Sequence, residues 1–205
     1  MTLYTVPTSP NGIKVRAALD YLQIEADLKS VNPLAGENKT LAFLALNPNG
    51  RLPVLVHGDF VLWESNAILQ YLGNQRPQNG FWPQEPQAQA DVSRWMCWQL
   101  AHWTPAISPL LYENLARRSL GRGEPDSQAV AKAEEEFHRC ARALQPALHE
   151  RAFLCGHRVT AADFAVAPLL IYADLAKVPW RQYPVIVAWY QRVADLPAWR
   201  AATGA

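Results

Sequence analysis

The sequence predicts an α/β domain with the element order βαβαββα, followed by an all-helical domain. Three observations lead to this fold class. Short apolar runs of strand length alternate with helical periodicity as far as residue 75. Residues 76–87 then hold three prolines and a glycine without periodicity, and every later apolar pattern has the three- and four-residue step of a helix. We therefore assign residues 1–75 to the first domain, 76–87 to a linker and 88–205 to the second domain.

The first domain opens with a strand, a helix and a second strand. Residues 2–6 form a short apolar run, and residues 7–12 have the composition of a turn. Apolar residues at helical spacing predict a helix over 11–21, and an alternating pattern predicts a strand over 26–31. Because a helix connects the two strands, we expect them to pair in parallel.

A weaker helix, a hairpin and a further helix complete the first domain. The weaker helix covers about residues 38–46. Apolar runs at 52–56 and 60–63 flank a His-Gly-Asp turn, which is the strongest hairpin signal in the sequence. The next helix spans Ser65–Gln75, and we predict that its first residue is the N-cap.

The second domain begins with two long helical patterns. The first covers about residues 92–111 and should bend at Pro105 and Pro109. The second starts at Ser127, a predicted N-cap, and continues to about Arg151.

Two further helices follow. Thr160 and Asp163 have the spacing of a capping box directly before the apolar run 164–171, with an aspartate where Glu or Gln is usual. This pattern predicts a deeply buried helix start. The last helical pattern, over 184–199, is interrupted by Pro197.

Composition and charge exclude several function classes. The 205 residues, half of them hydrophobic, include 19 basic and 18 acidic side chains, which give a formal net charge of +1. This balance offers no electrostatic footprint for nucleic acid or for anionic membranes. No segment has the roughly 18 apolar residues of a membrane span, and the N-terminus lacks a signal-peptide pattern. We expect a cytoplasmic protein without nucleic-acid or membrane partners.

The first candidate site is the turn Thr8-Ser9-Pro10-Asn11-Gly12, between the carboxyl end of a strand and the start of a helix. Free amides and the helix dipole favour an anion at such a position. The Ser9 hydroxyl and the Asn11 amide are therefore candidates for binding a thiolate, a carboxylate or a phosphate. The alternative is that the turn only caps the helix.

The second candidate site is the start of a strand at Pro53. Proline is excluded from the interior of a ladder, so the strand should begin there. With a trans bond, this would be an ordinary strand start. A cis bond would expose the backbone of Leu52, which could then pair with a peptide-like ligand.

The third candidate site is Glu64-Ser65, at the next junction from strand to helix. The simpler interpretation is a helix cap. A carboxylate and a hydroxyl at a helix start also suit an amino acid head group, with Glu64 binding the ammonium and Ser65 the carboxylate. Lys39 is available for a second carboxylate, although an exposed lysine usually is only solvated.

Several segments together resemble one protein family. Four of them, in the same order, resemble the glutathione site of cytosolic glutathione S-transferases: Ser9–Arg16, Gly36–Lys39, Asn47–Leu55 and Glu64–Ile68. A fifth, Gly156–Phe164, is similar to the capping-box region of that family, so the resemblance covers nearly the whole chain. It implies a thioredoxin-like first domain, a homodimer, and glutathione as cosubstrate without a metal.

The resemblance also implies a role for each matching residue. Ser9 would donate a hydrogen bond to the glutathione sulfur, with Asn11 assisting or sharing that role. Leu52, before a cis Pro53, would bond the cysteinyl backbone. Two residues would hold the γ-glutamyl group: Glu64 and Ser65. Three would meet the glycyl carboxylate: Asn38, Lys39 and Arg51.

The implied activity is a detoxifying conjugation, in which the glutathione thiolate attacks a small hydrophobic electrophile. The serine and its S-P-N-G turn resemble bacterial and fungal members of the family. The electrophile would bind between the domains near Trp103 and Tyr112, aromatic residues that equally suit a core. Two alternatives stay open: a glutathione-dependent disulfide reductase or peroxidase on the same fold, and a non-catalytic binding protein.

Overall fold

The computed structural model describes residues 1–204 of the chain, which form two compact units. One unit contains Met1–Gln84 and the C-terminal segment that starts at Asp195. The other unit contains Glu85–Ala194. Each unit has its own set of buried apolar side chains.

The first unit is built on a four-stranded sheet with the strand order β2-β1-β3-β4. The strands are β1 (Thr2–Thr5), β2 (Asp27–Ser30), β3 (Val54–His57) and β4 (Phe60–Trp63). β1 and β2 pair in parallel, whereas β3 pairs antiparallel with both β1 and β4. The predicted parallel unit and the predicted hairpin are both confirmed.

Three helices complete the βαβαββα order of this unit: α1 (Pro10–Tyr21), α2 (Leu41–Leu46) and α3 (Ser65–Asn74). α2 is shorter than predicted because a 3-10 turn occupies Glu37–Lys39. The Thr40 hydroxyl then caps α2, accepting a hydrogen bond from Phe43 N at 3.3 Å. The predicted α/β fold class of the first domain is confirmed.

Apolar side chains between the sheet and its helices form the core of the first unit. Leu3 of β1, Val15 of α1, Leu55 of β3 and Leu69 of α3 have no exposed surface. Burying an apolar side chain of this size contributes about 1.5–3 kcal/mol. This core holds in place the strand ends and helix starts that carry the candidate site.

The C-terminal helix α10 (Pro197–Thr203) packs on α1 of the first unit. Arg16 of α1 reaches it, since Arg16 Nη2 donates to Ala202 O at 2.6 Å. The structure differs here from the division drawn from the sequence, which assigned every residue after 87 to the helical domain. Helical periodicity indicates which face of a helix is buried, but not the surface on which that face packs.

The segment predicted to be a linker contributes to the first unit. A 3-10 turn covers Pro77–Asn79, and the next helix already begins at Pro86. Phe81 has no exposed surface and Trp82 is 3% exposed, so both belong to a core. Prolines indicate where regular structure stops, but they do not determine whether the aromatic residues between them are buried.

The second unit consists of helices and connecting turns. Its helices are α4 (Pro86–Trp98), α5 (Thr104–Leu111), α6 (Arg117–Ser119), α7 (Ser127–Leu148), α8 (Ala161–Val166) and α9 (Pro184–Ala194). Two π-helical turns, Gln99–Trp103 and Tyr112–Ala116, connect α4, α5 and α6 where the sequence predicts a bent helix. The predicted helical class of this region is confirmed. None of the helices within residues 1–204 combines the length and apolar character needed to cross a membrane.

Two helix starts in the second unit test the capping predictions. The capping box of Thr160 and Asp163 is present at α8, and Asp163 Oδ2 accepts from Thr160 N at 2.9 Å. The prediction for α7 is wrong by one residue. Asp126, not Ser127, is the N-cap, and its carboxylate accepts from Gln128 N at 2.9 Å.

Gly12 allows the start of α1 to approach β1 closely. A Cβ at this position would lie 2.3 Å from Thr5 Oγ1 and 2.6 Å from Val6 O. At an open helical position Gly→Ala stabilises by about 0.5–1 kcal/mol. We expect the opposite sign here, with Gly12→Ala lowering the free energy of unfolding by about 1–3 kcal/mol in urea denaturation. Ala131→Gly, on the exposed face of α7, is the control for helix propensity, and a raised midpoint for Gly12→Ala would contradict the close approach.

Candidate functional site

A cavity of about 380 Å³ lies where β1 and β4 lead into α1 and α3. Its walls include every site residue predicted in the first unit except Lys39: Ser9, Asn11, Asn38, Arg51, Leu52, Pro53, Glu64 and Ser65. A larger cavity of about 970 Å³ lies within the second unit and includes Trp95, Trp98 and Arg151 in its walls. We place the candidate site in the smaller cavity, because strand ends and helix starts converge there.

Ser9 occupies the N-cap position of α1 in extended conformation, with Pro10 as the first helical residue. Within the described residues its hydroxyl makes no capping hydrogen bond. Its backbone N–H donates to Val6 O at 3.1 Å and closes the turn. The interpretation of the Ser9 side chain as a helix cap is therefore wrong, and the hydroxyl lies on the cavity wall.

Asn11 and Ser65 connect the starts of α1 and α3. Ser65 Oγ donates to Asn11 Oδ1 at 3.3 Å. Ser65 is buried, whereas Asn11 is exposed. Because Asn11 Oδ1 accepts this bond, the Asn11 NH₂ group is the donor that its side chain can offer to a ligand.

Glu64 is the N-cap residue of α3, with φ 70° and ψ 107°, and it makes no capping hydrogen bond through its side chain. The prediction of Ser65 as the N-cap is therefore wrong by one residue, since Ser65 is the first residue of the helix. A positive φ at a residue with a Cβ is uncommon and costs about 1–3 kcal/mol. Such strain is concentrated at binding and active sites.

The Leu52-Pro53 peptide bond is cis, one of the two conformations that the sequence allowed. β3 begins one residue later, at Val54, which pairs with Tyr4 of β1. Leu52 therefore lies beyond the end of the ladder, next to the cavity.

Asparagine side chains organise the loop on another side of the cavity. Asn38 Nδ2 donates to Gly50 O at 2.7 Å, and Asn47 Nδ2 donates to Arg51 O at 2.8 Å. Among the described residues the buried Asn38 Oδ1 has no hydrogen-bond partner. Lys39 and Arg51 are exposed, and Lys39 does not line the cavity.

Known proteins resemble this chain in sequence and in fold. The family described as "Glutathione S-transferase, N-terminal domain" matches residues 1–74, and "Glutathione S-transferase, C-terminal domain" matches residues 127–192. Glutathione S-transferase 3 of Zea mays is 32% identical over 212 residues, which cover 100% of this chain and 94% of the maize protein. The chain belongs to the glutathione S-transferase family. The expected enzyme class, glutathione transferase, is confirmed.

Two further similarities place this glutathione transferase among its relatives. The crystal structure of a glutathione S-transferase from Pseudomonas fluorescens is 30% identical, with a TM-score of 0.85, and the match covers 96% of each chain. Elongation factor 1-gamma of Carassius auratus is 30% identical, and the match covers 99% of this chain but 46% of that protein. The similarity therefore extends to a protein in which the matching region is one part of a longer chain.

The two aromatic residues assigned to the electrophile differ in their surroundings. Trp103 has no exposed surface, its Nε1 donates to Val166 O at 3.0 Å, and its ring stacks on Trp98 with centroids 5.5 Å apart. Trp103 is therefore a core residue of the helical unit, and we exclude it from the substrate site of this glutathione transferase. Tyr112 is half-buried, and its hydroxyl accepts a hydrogen bond from Arg122 Nη1 at 3.2 Å.

Sequence reasoning missed a buried polar pair next to the glutathione transferase site. Lys14 has no exposed surface, and its Nζ donates to Asn66 Oδ1 at 2.7 Å. Burial lowers the pKa of Lys14 to about 7, while the charge of Glu64 acts to raise it. The position of Lys14 in the sequence could have indicated its burial. Lys14 lies one helical turn after Asn11, between the apolar residues Ile13 and Val15. Within residues 1–204, no group of His, Cys, Asp or Glu side chains is arranged to hold a metal ion.

Proposed function

We propose that this glutathione transferase binds glutathione in the 380 Å³ cavity and conjugates it to a small hydrophobic electrophile. One observation carries the proposal: the Ser9 hydroxyl does not cap α1 and lies with the Asn11 amide on the cavity wall. Two hydrogen-bond donors at the positive end of a 12-residue helix favour a bound anion. The thiolate of glutathione is such an anion.

The other wall residues suit the remaining groups of the tripeptide. The Leu52 backbone, outside the ladder, is assigned to the cysteinyl backbone. The Glu64 carboxylate suits the γ-glutamyl ammonium, and the first amides of α3 suit the γ-glutamyl carboxylate. The Ser65 hydroxyl can join these amides when its proton turns from Asn11 Oδ1 to the ligand. Three polar or cationic side chains are assigned to the glycyl carboxylate: Asn38, Lys39 and Arg51.

The proposed reaction uses the glutathione sulfur as the nucleophile. The thiol loses its proton to solvent, the sulfur forms a bond to an electrophilic carbon, and the bond from that carbon to its leaving group breaks. Lowering the thiol pKa by about two units corresponds to roughly 2.7 kcal/mol, which one charge-assisted hydrogen bond and a helix start can supply. We assign the enzyme to the serine type, with Ser9 as the main donor and Asn11 assisting. We keep Tyr112 as a proposed contact of the electrophile, and a homodimer as the proposed assembly.

A second candidate is a non-catalytic binding role, since the chain is also similar to a protein named as an elongation factor and not as a transferase. Ionisation of the bound thiol separates the two, because a catalyst must lower the pKa of glutathione and a binding protein need not. Turnover of an aryl halide, compared with turnover of a mixed disulfide, separates conjugation from disulfide reduction.

Calorimetry with glutathione tests the proposed binding site. We expect the wild type to bind and Glu64→Gln to bind about fivefold more weakly, because an exposed ammonium–carboxylate pair contributes about 1 kcal/mol. Glu64 is exposed in the structure. Glu135→Gln removes the same charge from an exposed position on α7 and should bind as the wild type does. No measurable binding of glutathione by the wild type would overturn the proposed function.

A further inference from the structure

Two hydrogen bonds connect the start of α1 to the start of α3, and the second of them is fully buried on the α1 side. Ser65 Oγ donates to Asn11 Oδ1 at 3.3 Å at the cavity wall. Lys14 Nζ donates to Asn66 Oδ1 at 2.7 Å. Lys14 is 0% exposed and Asn66 is 8% exposed.

Both bonds join the first two turns of α1 to the first turn of α3. Asn11 and Lys14 are three residues apart and therefore share one face of α1. Their partners are consecutive residues of α3, which packs on α1. The Lys14–Asn66 bond thus lies one helical turn behind the bond that joins two wall residues of the cavity. A change in the Lys14–Asn66 bond should therefore move the residues that form the Ser65–Asn11 bond.

In its ammonium form, Lys14 is a buried cation that has no ion-pair partner among the described residues. No carboxylate of the described residues lies within ion-pair distance of its Nζ, although the charge of Glu64 acts on it. A buried ammonium with one neutral acceptor is costly, and a fold that needed only a space-filling residue here would be served better by an apolar side chain. The position therefore points to a role for the charge.

We propose that Lys14 is a positioning residue for glutathione, and that its ammonium form, bonded to Asn66, holds Glu64 and Ser65 at the start of α3 in the arrangement that binds the ligand. This inference rests on the proposed function. The physical reason is that a hydrogen bond from an ammonium is stronger than one from a neutral amine. Binding of the ligand therefore favours the protonated form, and affinity should fall as Lys14 loses its proton.

The pKa of Lys14, lowered by burial to about 7, sets the range of pH in which this effect is measurable. Glu64, at the β4–α3 junction, is the described group whose charge acts on Lys14, and it favours the protonated form. If only the protonated form binds, the apparent affinity follows the protonated fraction, which falls about tenfold between pH 6 and pH 8.

Calorimetry with S-methylglutathione from pH 6 to pH 8 tests the inference, because this ligand has no ionisable thiol. We expect the affinity of the wild type to fall about tenfold over this range. Lys14→Met should bind weakly at pH 6 and show no fall, with a melting temperature at or above that of the wild type. Lys132→Met, at an exposed position on α7, is the matched control and should keep the wild-type profile.

Asn66→Asp provides a variant that keeps Lys14 and the shape of its partner. The new carboxylate should raise the pKa of Lys14, so we expect affinity to stay constant between pH 6 and pH 8. If Lys14→Met does not fold, the pH dependence of affinity in Asn66→Asp, compared with that of the wild type, still tests the role of Lys14. Wild-type affinity that is independent of pH, or an unchanged fall in Lys14→Met, overturns the role of Lys14 alone. Absence of wild-type binding at every pH overturns the proposed function and this inference with it.

Discussion

Replacing Asp163 with alanine should lower the free energy of unfolding by about 3–5 kcal/mol. The carboxylate has no exposed surface. Its Oδ1 accepts from Leu154 N at 2.9 Å and from Trp189 Nε1 at 2.8 Å. Its Oδ2 accepts from Thr160 N at 2.9 Å and from Thr160 Oγ1 at 3.2 Å. Alanine removes the acceptor of all these bonds, and each buried donor left without a partner costs about 1–3 kcal/mol.

Asp163→Asn is the matched variant, because it keeps the shape of the side chain and removes half of its acceptors. The NH₂ group of the asparagine would face hydrogen-bond donors. We therefore expect Asp163→Asn to lower the free energy of unfolding almost as much as Asp163→Ala does. Urea denaturation followed by circular dichroism measures both variants. The kcat of the folded fraction should stay at the wild-type value, since Asp163 does not line the cavity. Unchanged midpoints together with lost turnover would show that Asp163 acts in the chemistry and not in the fold.

The parts of the fold that the sequence predicts are those specified by neighbouring residues. The capping box of Thr160 and Asp163 needs four consecutive residues, and the β3–β4 hairpin needs two apolar runs around a glycine turn. The parallel pairing of β1 and β2 follows from the helix between them. In each case the signal and the structure lie in the same short segment.

Helix N-caps were predicted less accurately, because several polar residues can serve at one start. Asp126 precedes Ser127 and Glu64 precedes Ser65, and in both cases the earlier residue occupies the N-cap position. Which of two neighbours leaves the helix depends on their φ and ψ angles. At Glu64 a positive φ, which propensity does not predict for glutamate, decides the outcome.

Long-range packing was the part that periodicity could not predict. The pattern of α10 identifies a helix, but its position on α1 depends on residues far away in the sequence. Arg16, for example, bonds Ala202, which lies 186 positions later. The burial of Trp103 follows in the same way from its bond to Val166. Among the candidate site residues, the wall of the cavity was predicted from motifs, whereas the Lys14–Asn66 bond joins two segments whose contact no local pattern records.

Replacing Ser9 with alanine should raise the pKa of bound glutathione and lower kcat by about 10- to 150-fold, which corresponds to about 1.5–3 kcal/mol. The Ser9 hydroxyl makes no capping bond to α1 within the described residues, so its removal should leave the fold intact. The affinity for glutathione should also change little, because the other proposed contacts of the tripeptide lie on Leu52, Glu64 and Ser65. Ultraviolet titration of the bound thiolate measures the pKa, and an aryl halide measures turnover.

Asn11→Ala is the comparison that decides between the two donors at the start of α1. It removes the amide donor and also the acceptor of the bond from Ser65 Oγ, so glutathione affinity should fall together with turnover. Ser9→Ala should therefore affect kcat more than affinity, and Asn11→Ala should affect both. Ser127→Ala, an exposed serine that does not cap α7, is the matched control and should behave as the wild type does. If the thiolate titration is unchanged in Ser9→Ala but lost in Asn11→Ala, Asn11 is the principal donor. The reason is that removing a hydroxyl that stabilises the thiolate must raise the pKa of the bound thiol.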